Sequence, residues 1–86
     1  MGLRLAYFYL MKDDPERVRY VAPRHVSNWK RLGLAHYVGG PFEDRTRGLI
    51  TFTADDVDAA QGAVNGDPFM TEELLEAHWL KVWMPE

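Results

Sequence analysis

The order of apolar and turn-forming segments along this chain predicts an α+β domain with the element order β-α-β-β-α-β. Four short runs are rich in β-branched and aromatic residues, and two segments between them combine helix-start residues with helical spacing of apolar positions. The chain has 86 residues, of which 47% are hydrophobic and 13% aromatic. This composition is typical of a globular chain and not of a disordered one. We therefore expect a single domain over residues 1–86.

The first half of the chain is predicted to contain a strand, a helix and a second strand. The segment from Leu3 to Met11 is rich in β-forming residues and ends at KDDPE, which offers an N-cap and a proline for a helix start. Pro23 is expected to interrupt this helix. A firmer helical segment then places Val26, Trp29 and Leu32 on one face and ends at a glycine. The second strand, LAHYVGGP, stops at a Gly-Gly-Pro breaker.

The second half is predicted to contain a strand, a helix and a final strand. The polar turn EDRTR leads into the third strand, GLITFTA. Asp55 or Asp56 caps a second helix, whose inner face carries Val57, Ala60 and Val64. The last segment, TEELLEAHWLKVWM, combines a helical turn with a final strand that ends near Met84.

This order is that of the ferredoxin-like split βαβ domain, in which both helices cover one face of a four-stranded antiparallel sheet. The other face should then be polar. However, both faces of the first and last strands are apolar. Leu5, Tyr7 and Tyr9 alternate with Ala6, Phe8 and Leu10 in the first strand, and Trp79 and Trp83 alternate with Leu80, Val82 and Met84 in the last. An uncovered apolar face indicates burial against a second sheet, most simply an identical one related by a two-fold axis. We therefore expect a homodimer that forms through the open face of the sheet.

Charge and composition exclude several classes of protein. The net charge is −3 with both signs interspersed, so the basic surface that nucleic-acid binding requires is absent from the sequence. No run approaches the ~20 apolar residues of a membrane span, and no basic amphipathic face suggests a membrane surface. The absence of cysteine excludes a disulfide framework and a thiolate site. Without a signal-peptide pattern at the start, the expected location is the cytoplasm.

Histidine is the first candidate for proton chemistry, because its charge changes near neutral pH. His25 lies at the start of the firmer helical segment, where the helix dipole disfavours the imidazolium and a nearby carboxylate favours it. His36 and His78 fall in strands, where a partly buried structural role is the more common one. The three histidines lack zinc-site spacing, and no flavin, nicotinamide or phosphate-loop signature is present. We expect neither a metal nor an organic cofactor.

Asp67, in the sequence NGDPF, has two interpretations that the residues alone leave open. An Asp followed by a Pro is typical of a helix start, with Asp as the N-cap and Pro at the first helical position. The same carboxylate could instead lie at the floor of a pocket. A similar ambiguity applies to three aromatic residues, which pack in the core or form a pocket wall: Trp29, Phe42 and Phe69.

The ordered segments RHVSNWKRLG, GGPFEDRTRGLITF and NGDPF resemble the YCII-related domain family, whose members have a dimeric ferredoxin-like α+β-barrel fold. The resemblance covers residues 5 to 83 and implies an active site built on His25 and Asp67. Some members resemble lyases that remove HCl from chlorinated aromatic catabolites. The wider superfamily includes isomerases and monooxygenases that act on aromatic compounds without a metal or organic cofactor. The tail, AHWLKVWMPE, is richer in tryptophan than the family pattern.

Two functions are compatible with this resemblance. In the first, the protein is a lyase or isomerase in which His25 is the general acid/base and Asp67 orients it. In the second, it is a non-catalytic dimeric protein that binds a small molecule or serves as a scaffold, and Asp67 only caps a helix. For the first function, an apolar wall suits a flat, uncharged or weakly anionic ligand, and Arg24 would attract a carboxylate or phenolate. The expected ligand-binding residues are Arg24, Trp29, Gly40, Pro41, Phe42 and Phe69.

Overall fold

The computed structural model describes residues 2–86, which form four strands and three helices. All neighbouring strands are antiparallel, and their order in the sheet is β2-β3-β1-β4. This arrangement is the ferredoxin-like fold, so the predicted fold class is confirmed. The short α3 is an addition to it. The elements are β1 (Leu3–Met11), α1 (Pro15–Arg31), β2 (Ala35–Pro41), β3 (Arg47–Ala54), α2 (Val57–Asn65), α3 (Pro68–Thr71) and β4 (Leu75–Val82).

Both ends of α1 carry the residues that local backbone chemistry requires. The Asp14 side chain accepts a hydrogen bond from the Arg17 N–H at 3.3 Å, and Pro15 occupies the first turn. These residues satisfy or remove N–H groups that have no partner inside the helix. At the other end Gly33 has φ +61°, a left-handed conformation that glycine adopts without steric cost. The bounds of α1 therefore follow from its terminal residues.

The interior of α1 differs from the prediction. The helix continues through Pro23, so the expected interruption is wrong. Its buried face carries Val21, His25 and Trp29, four residues apart, whereas Val26 and Leu32 are 42% and 44% exposed. A proline inside a helix removes one hydrogen bond and costs ~3 kcal/mol. Packing of the face that contains Trp29 against the sheet offsets this cost, because burying one such side chain recovers a comparable amount.

The core lies between the sheet and the helices and is built on β1. Leu5, Tyr7 and Tyr9 point to the same side of this central strand and are buried. Their neighbours in the register of β3 are Phe52, Ile50 and Gly48. The helices contribute the remaining buried apolar side chains: Val21, Trp29, Ala60, Val64 and Phe69, with Leu74 from the segment before β4.

The second helix and the last strand follow the prediction with small shifts. Of the two candidate caps, Asp56 is the one used, and its Oδ1 accepts from the Ala59 N–H at 2.8 Å. Ala60 and Val64 are buried as predicted, whereas Val57, the first residue of the helix, is exposed, so its predicted place on the inner face is wrong. The last strand ends at Val82, before Met84. Among residues 2–86, no helix has the length and apolar character needed to cross a membrane.

The opposite face of the sheet carries aromatic side chains without a helix over them. Phe8 in β1 lies opposite Trp79 in β4, with ring centroids 5.3 Å apart, and Phe42 lies 5.8 Å from Phe8. Trp79 is 45% exposed, and Phe42 and Val38 are exposed as well. The expectation of two apolar sheet faces therefore agrees with the positions of these side chains.

The packing of the helices on the sheet predicts a large effect of Phe52→Ala. Phe52 is fully buried opposite Leu5, and truncating such a ring should lower the free energy of unfolding by ~3–5 kcal/mol. Tyr20, which is 79% exposed on α1, serves as the control, since Tyr20→Ala should change it by less than ~0.5 kcal/mol. Urea unfolding followed by circular dichroism measures both. Equal midpoints for the two variants would contradict the assignment of the core.

Candidate functional site

Asp67 is fully buried and accepts three hydrogen bonds from three different parts of the fold. Its Oδ1 lies 2.9 Å from the backbone nitrogen of Phe69 and 2.7 Å from Nδ1 of His25. Its Oδ2 accepts from the Tyr7 hydroxyl at 3.2 Å. Asp67 is therefore the N-cap of α3 and the partner of a histidine at the same time. Helix capping and contact with a histidine therefore do not exclude each other at Asp67.

His25 lies in the middle of α1 and not at a helix start, because the helix continues through Pro23. The predicted effect of a helix N-terminus on its charge therefore does not apply. The residue is only 6% exposed. The Phe69 ring stacks on the imidazole with centroids 4.1 Å apart, and Tyr9 meets it edge-on at 5.5 Å. These contacts hold the ring plane in one orientation.

The contacts of His25 assign its protons. An ionised Asp67 can only accept hydrogen bonds, so Nδ1 of His25 carries the proton in the 2.7 Å contact. In the neutral imidazole the other nitrogen, Nε2, is then the basic one. It lies 3.2 Å from the Tyr9 hydroxyl. The arrangement thus has the form of a carboxylate that orients a histidine for proton transfer.

Tyr7 and Tyr9 complete this network, and the sequence interpretation did not include them. Burial, reinforced by the negative charge of Asp67, raises the pKa of both phenols well above its ordinary value of 10.0. Both are therefore neutral donors near pH 7. The signal was present in the sequence, because alternation in β1 turns both tyrosines inward. A buried hydroxyl requires a hydrogen-bond partner.

A broad groove opens beside this network, between α1 and the β2–β3 hairpin. Tyr9, His25 and Phe69 line its inner part, and Tyr37 and Gly39 line it on the side of β2. Its volume of about 1460 Å³ exceeds the ~300–1,000 Å³ of a typical small-molecule pocket. The groove is thus an open cleft that gives ligands access to the residues around His25.

Basic residues outnumber acidic ones along the groove. Four positively charged side chains and two negatively charged ones line it, although the chain as a whole carries a net charge of −3. A concave surface with an excess of one charge attracts ligands of the opposite sign. The charged residues are Lys12, Arg19, Lys30 and Arg45, with Asp13 and Asp44.

Only part of the expected ligand-binding set lines the groove. Gly40, Pro41 and Phe69 do so. Trp29 does not, because its position one helical turn from His25 directs the indole into the core, where it is fully buried. Phe42 instead packs against Phe8 on the open face of the sheet.

Arg24 also lies outside the groove lining. Its side chain is exposed and points to Glu72, with Nη2 3.8 Å from Oε2. Arg17 contacts the same carboxylate at 3.0 Å. Both arginines thus link α1 to the end of α3. Such exposed ion pairs contribute little to stability, about 0–1 kcal/mol.

The other two histidines lie away from His25. Nδ1 of His36 is 3.0 Å from the Thr53 hydroxyl at the edge of the sheet. His78 meets the Tyr7 ring edge-on, with centroids 6.3 Å apart, and lines a smaller depression of about 200 Å³ whose lining shares Lys12 and Phe69 with the groove. Within the part of the chain that the structure describes, no three His, Cys, Asp or Glu side chains come together as a metal-binding group.

Comparison with solved structures shows the same fold in proteins of distant sequence. The chain is similar to 5-chloro-2-hydroxyhydroquinone dehydrochlorinase (TftG) from Burkholderia phenoliruptrix AC1100, whose structure holds 2,5-dihydroxybenzoquinone. The TM-score is 0.82 with 20% identity, over 95% of this chain and 94% of that one. Protein SO0527 from Shewanella oneidensis matches with a TM-score of 0.59 and 14% identity, over 95% and 88% of the two chains. No protein-family model and no curated protein sequence matches the chain.

The raised pKa values of Tyr7 and Tyr9 predict how the protein responds to alkali. In the unfolded chain both phenols ionise near their ordinary value of 10.0, whereas the folded protein keeps them neutral. Their contribution to stability is therefore complete below pH 10 and falls as the pH rises further. Absorbance at 295 nm should show that part of the tyrosine ionisation coincides with loss of the circular dichroism signal. Ionisation of all four tyrosines in a folded protein would contradict this expectation.

Proposed function

We propose that this protein is a small-molecule enzyme of the lyase or isomerase type, with His25 as the general acid/base and Asp67 as the residue that orients it. The observation that supports this most directly is the 2.7 Å contact between His25 Nδ1 and Asp67 Oδ1 at the inner end of an open groove. A buried His–Asp pair beside a solvent-accessible cleft is costly to maintain for packing alone, since apolar residues would fill the same space at lower desolvation cost.

The proposed reaction begins with proton transfer from the ligand toward Nε2 of His25. The imidazolium that forms is stabilised by the Asp67 carboxylate on Nδ1. In a lyase reaction, the electron pair left on the ligand forms a double bond, and the leaving group departs with the electrons of its own bond. In an isomerase reaction, the same proton returns at another atom. General acid/base catalysis of this kind contributes ~10²–10⁴-fold in rate.

The groove favours an aromatic ligand with some negative charge. Tyr37 and Phe69 provide aromatic surfaces in its lining, and the excess of basic residues attracts a phenolate or carboxylate. Because the similarity to TftG is structural, the compounds of that enzyme are starting points for a screen. The same order of motifs, with His25 and Asp67 in contact, supports membership in the YCII-related domain family. No step of the proposed reaction requires a metal or an organic cofactor.

The enzyme proposal predicts loss of turnover in His25→Gln and Asp67→Asn. A panel of hydroxylated and chlorinated aromatic compounds, including 5-chloro-2-hydroxyhydroquinone, should contain a compound that the wild-type protein converts. Chloride release or absorbance of the product follows the reaction. Each variant should lose ~10²–10⁴-fold in kcat/KM, because the base or its orienting carboxylate is gone.

His36→Asn is the matched control for this experiment. His36 lies at the sheet edge with φ +56°, a conformation that Asn tolerates, so this variant should keep wild-type turnover. A folded His25→Gln protein that turns over the compound at the wild-type rate would refute the proposal. If the panel is not converted but 2,5-dihydroxybenzoquinone binds, the protein is a binding protein and not an enzyme.

We also propose that a second copy of the chain covers the open face of the sheet. Phe8, Phe42, Trp79 and Val38 form an apolar surface there that no helix covers. In a domain of 86 residues the core is small, and burial of this surface adds stability that one copy lacks. A two-fold axis brings the same surface of each copy together without leaving an open end.

The dimer proposal predicts a species of twice 9.9 kDa in light scattering at micromolar concentration. Trp79→Lys places a charge in the centre of the proposed interface and should yield the monomer. Tyr20→Lys, on the exposed side of α1, introduces the same side chain elsewhere and should leave the dimer intact. A monomeric wild-type protein would refute the proposal.

A further inference from the structure

Both ring nitrogens of His25 are already hydrogen-bonded inside the protein. Nδ1 contacts Asp67 at 2.7 Å, and Nε2 contacts the Tyr9 hydroxyl at 3.2 Å. Phe69 covers one face of the ring. A ligand in the groove therefore finds no free nitrogen on the imidazole. In the neutral state, Nδ1 donates to Asp67, so Nε2 accepts and the Tyr9 hydroxyl is the donor.

Tyr9 is held in this place by Gly48 in β3 and by the aromatic side chains around its ring. Its ring lies over Gly48, the residue opposite it in β3. A Cβ atom at position 48 would overlap the Tyr9 ring and hydroxyl. Tyr7 and Phe69 pack against the same ring, with centroids 5.1 Å and 5.9 Å away. The residue is 2% exposed, so movement of the phenol away from Nε2 requires displacement of core side chains.

We infer that the Tyr9 hydroxyl is the group that meets the ligand directly, and that it relays the ligand proton to Nε2 of His25. This inference rests on the proposed function and adds a catalytic residue to it. Tyr9 lines the groove together with His25. Its hydroxyl covers the only nitrogen at which His25 can accept a proton.

The proton transfer is balanced as a two-step relay. The Tyr9 O–H bond breaks as its proton passes to Nε2, and the phenol oxygen takes the ligand proton as a new O–H bond forms. The products are a neutral phenol, an imidazolium held by Asp67, and a ligand that keeps the electron pair. A free phenolate is not required. This agrees with the burial and the Asp67 charge that keep the Tyr9 pKa above its ordinary value. In the reverse direction the phenol donates to the ligand and recovers a proton from Nε2.

A substrate-independent experiment tests whether Tyr9 covers Nε2. Diethyl pyrocarbonate acylates the unprotonated nitrogen of histidine, and mass spectrometry of the His25 peptide gives the rate at that residue alone. Tyr9→Phe removes the hydroxyl but keeps the ring. Carbethoxylation of His25 should become about 3- to 10-fold faster, the factor expected when one hydrogen bond is lost.

Tyr7→Phe is the matched control, because it removes a hydroxyl from Asp67 Oδ2 and leaves Nε2 covered. In this variant the carbethoxylation rate of His25 should stay within about twofold of the wild-type rate, a smaller change than the loss of one hydrogen bond at Nε2 would produce. Equal rates in wild type and Tyr9→Phe would overturn the inference, and so would equal acceleration by both variants. If Tyr9→Phe does not fold, Gly48→Ala displaces the ring and should accelerate the reaction in the same way.

Turnover separates this inference from the proposed function. With a compound that the wild type converts, Tyr9→Phe should lower kcat by ~10²-fold, the lower end of the range for a group that transfers the proton. If Tyr9→Phe is as fast as or faster than the wild type while His25→Gln is inactive, the proposed function stands and the relay is overturned. If His25→Gln is active as well, the proposed function fails, and the carbethoxylation rates still decide whether Tyr9 covers Nε2.

Discussion

The buried carboxylate of Asp67 is the group on which the rest of the site depends. An ionised carboxylate without partners in the interior costs several kcal/mol, so its hydrogen bonds have to form together with the fold. The three donors come from α1, β1 and the backbone of α3: His25, Tyr7 and Phe69. One side chain therefore links the long helix, the central strand and the short helix. Of these three donors, His25 and Phe69 also line the groove.

The site is an extension of the hydrophobic core. His25 occupies the same face of α1 as Val21 and Trp29, and Tyr7 and Tyr9 occupy the same face of β1 as Leu5. Each of these polar side chains thus lies in a row of apolar residues with helical or strand spacing. Because the surrounding side chains are buried, the imidazole and the two phenols are held in one geometry. Because these positions belong to the core, stability has to be measured together with activity for each variant.

The two faces of the sheet have separate roles in this arrangement. The helix-covered face contains the network around Asp67, whereas the open face carries Phe8, Phe42 and Trp79 and, at alternating strand positions beside them, Arg4 and Lys81. Self-association through the open face would leave the groove accessible, since its lining comes from α1 and the β2–β3 hairpin. Substitutions on the open face should therefore leave the groove lining unchanged.

The sequence by itself determined the element order and the ends of α1, and it offered His25 and Asp67 as candidates for proton chemistry. Local rules suffice there, because alternation in β1, the Asp14 cap and the left-handed Gly33 depend only on neighbouring residues. Family resemblance then identified His25 and Asp67 as a pair. Only the tertiary structure decided that α1 continues through Pro23, that Trp29 lies in the core and that Phe42 lies on the open face. These outcomes depend on which surfaces pack together, and packing energy outweighs local preference when many apolar contacts form at once. The hydrogen-bond partners of Tyr7 and Tyr9 were decided in the same way. The Tyr7 hydroxyl meets Asp67, which is 60 positions away in the chain, and the Tyr9 hydroxyl meets His25, which itself contacts Asp67 from 42 positions away.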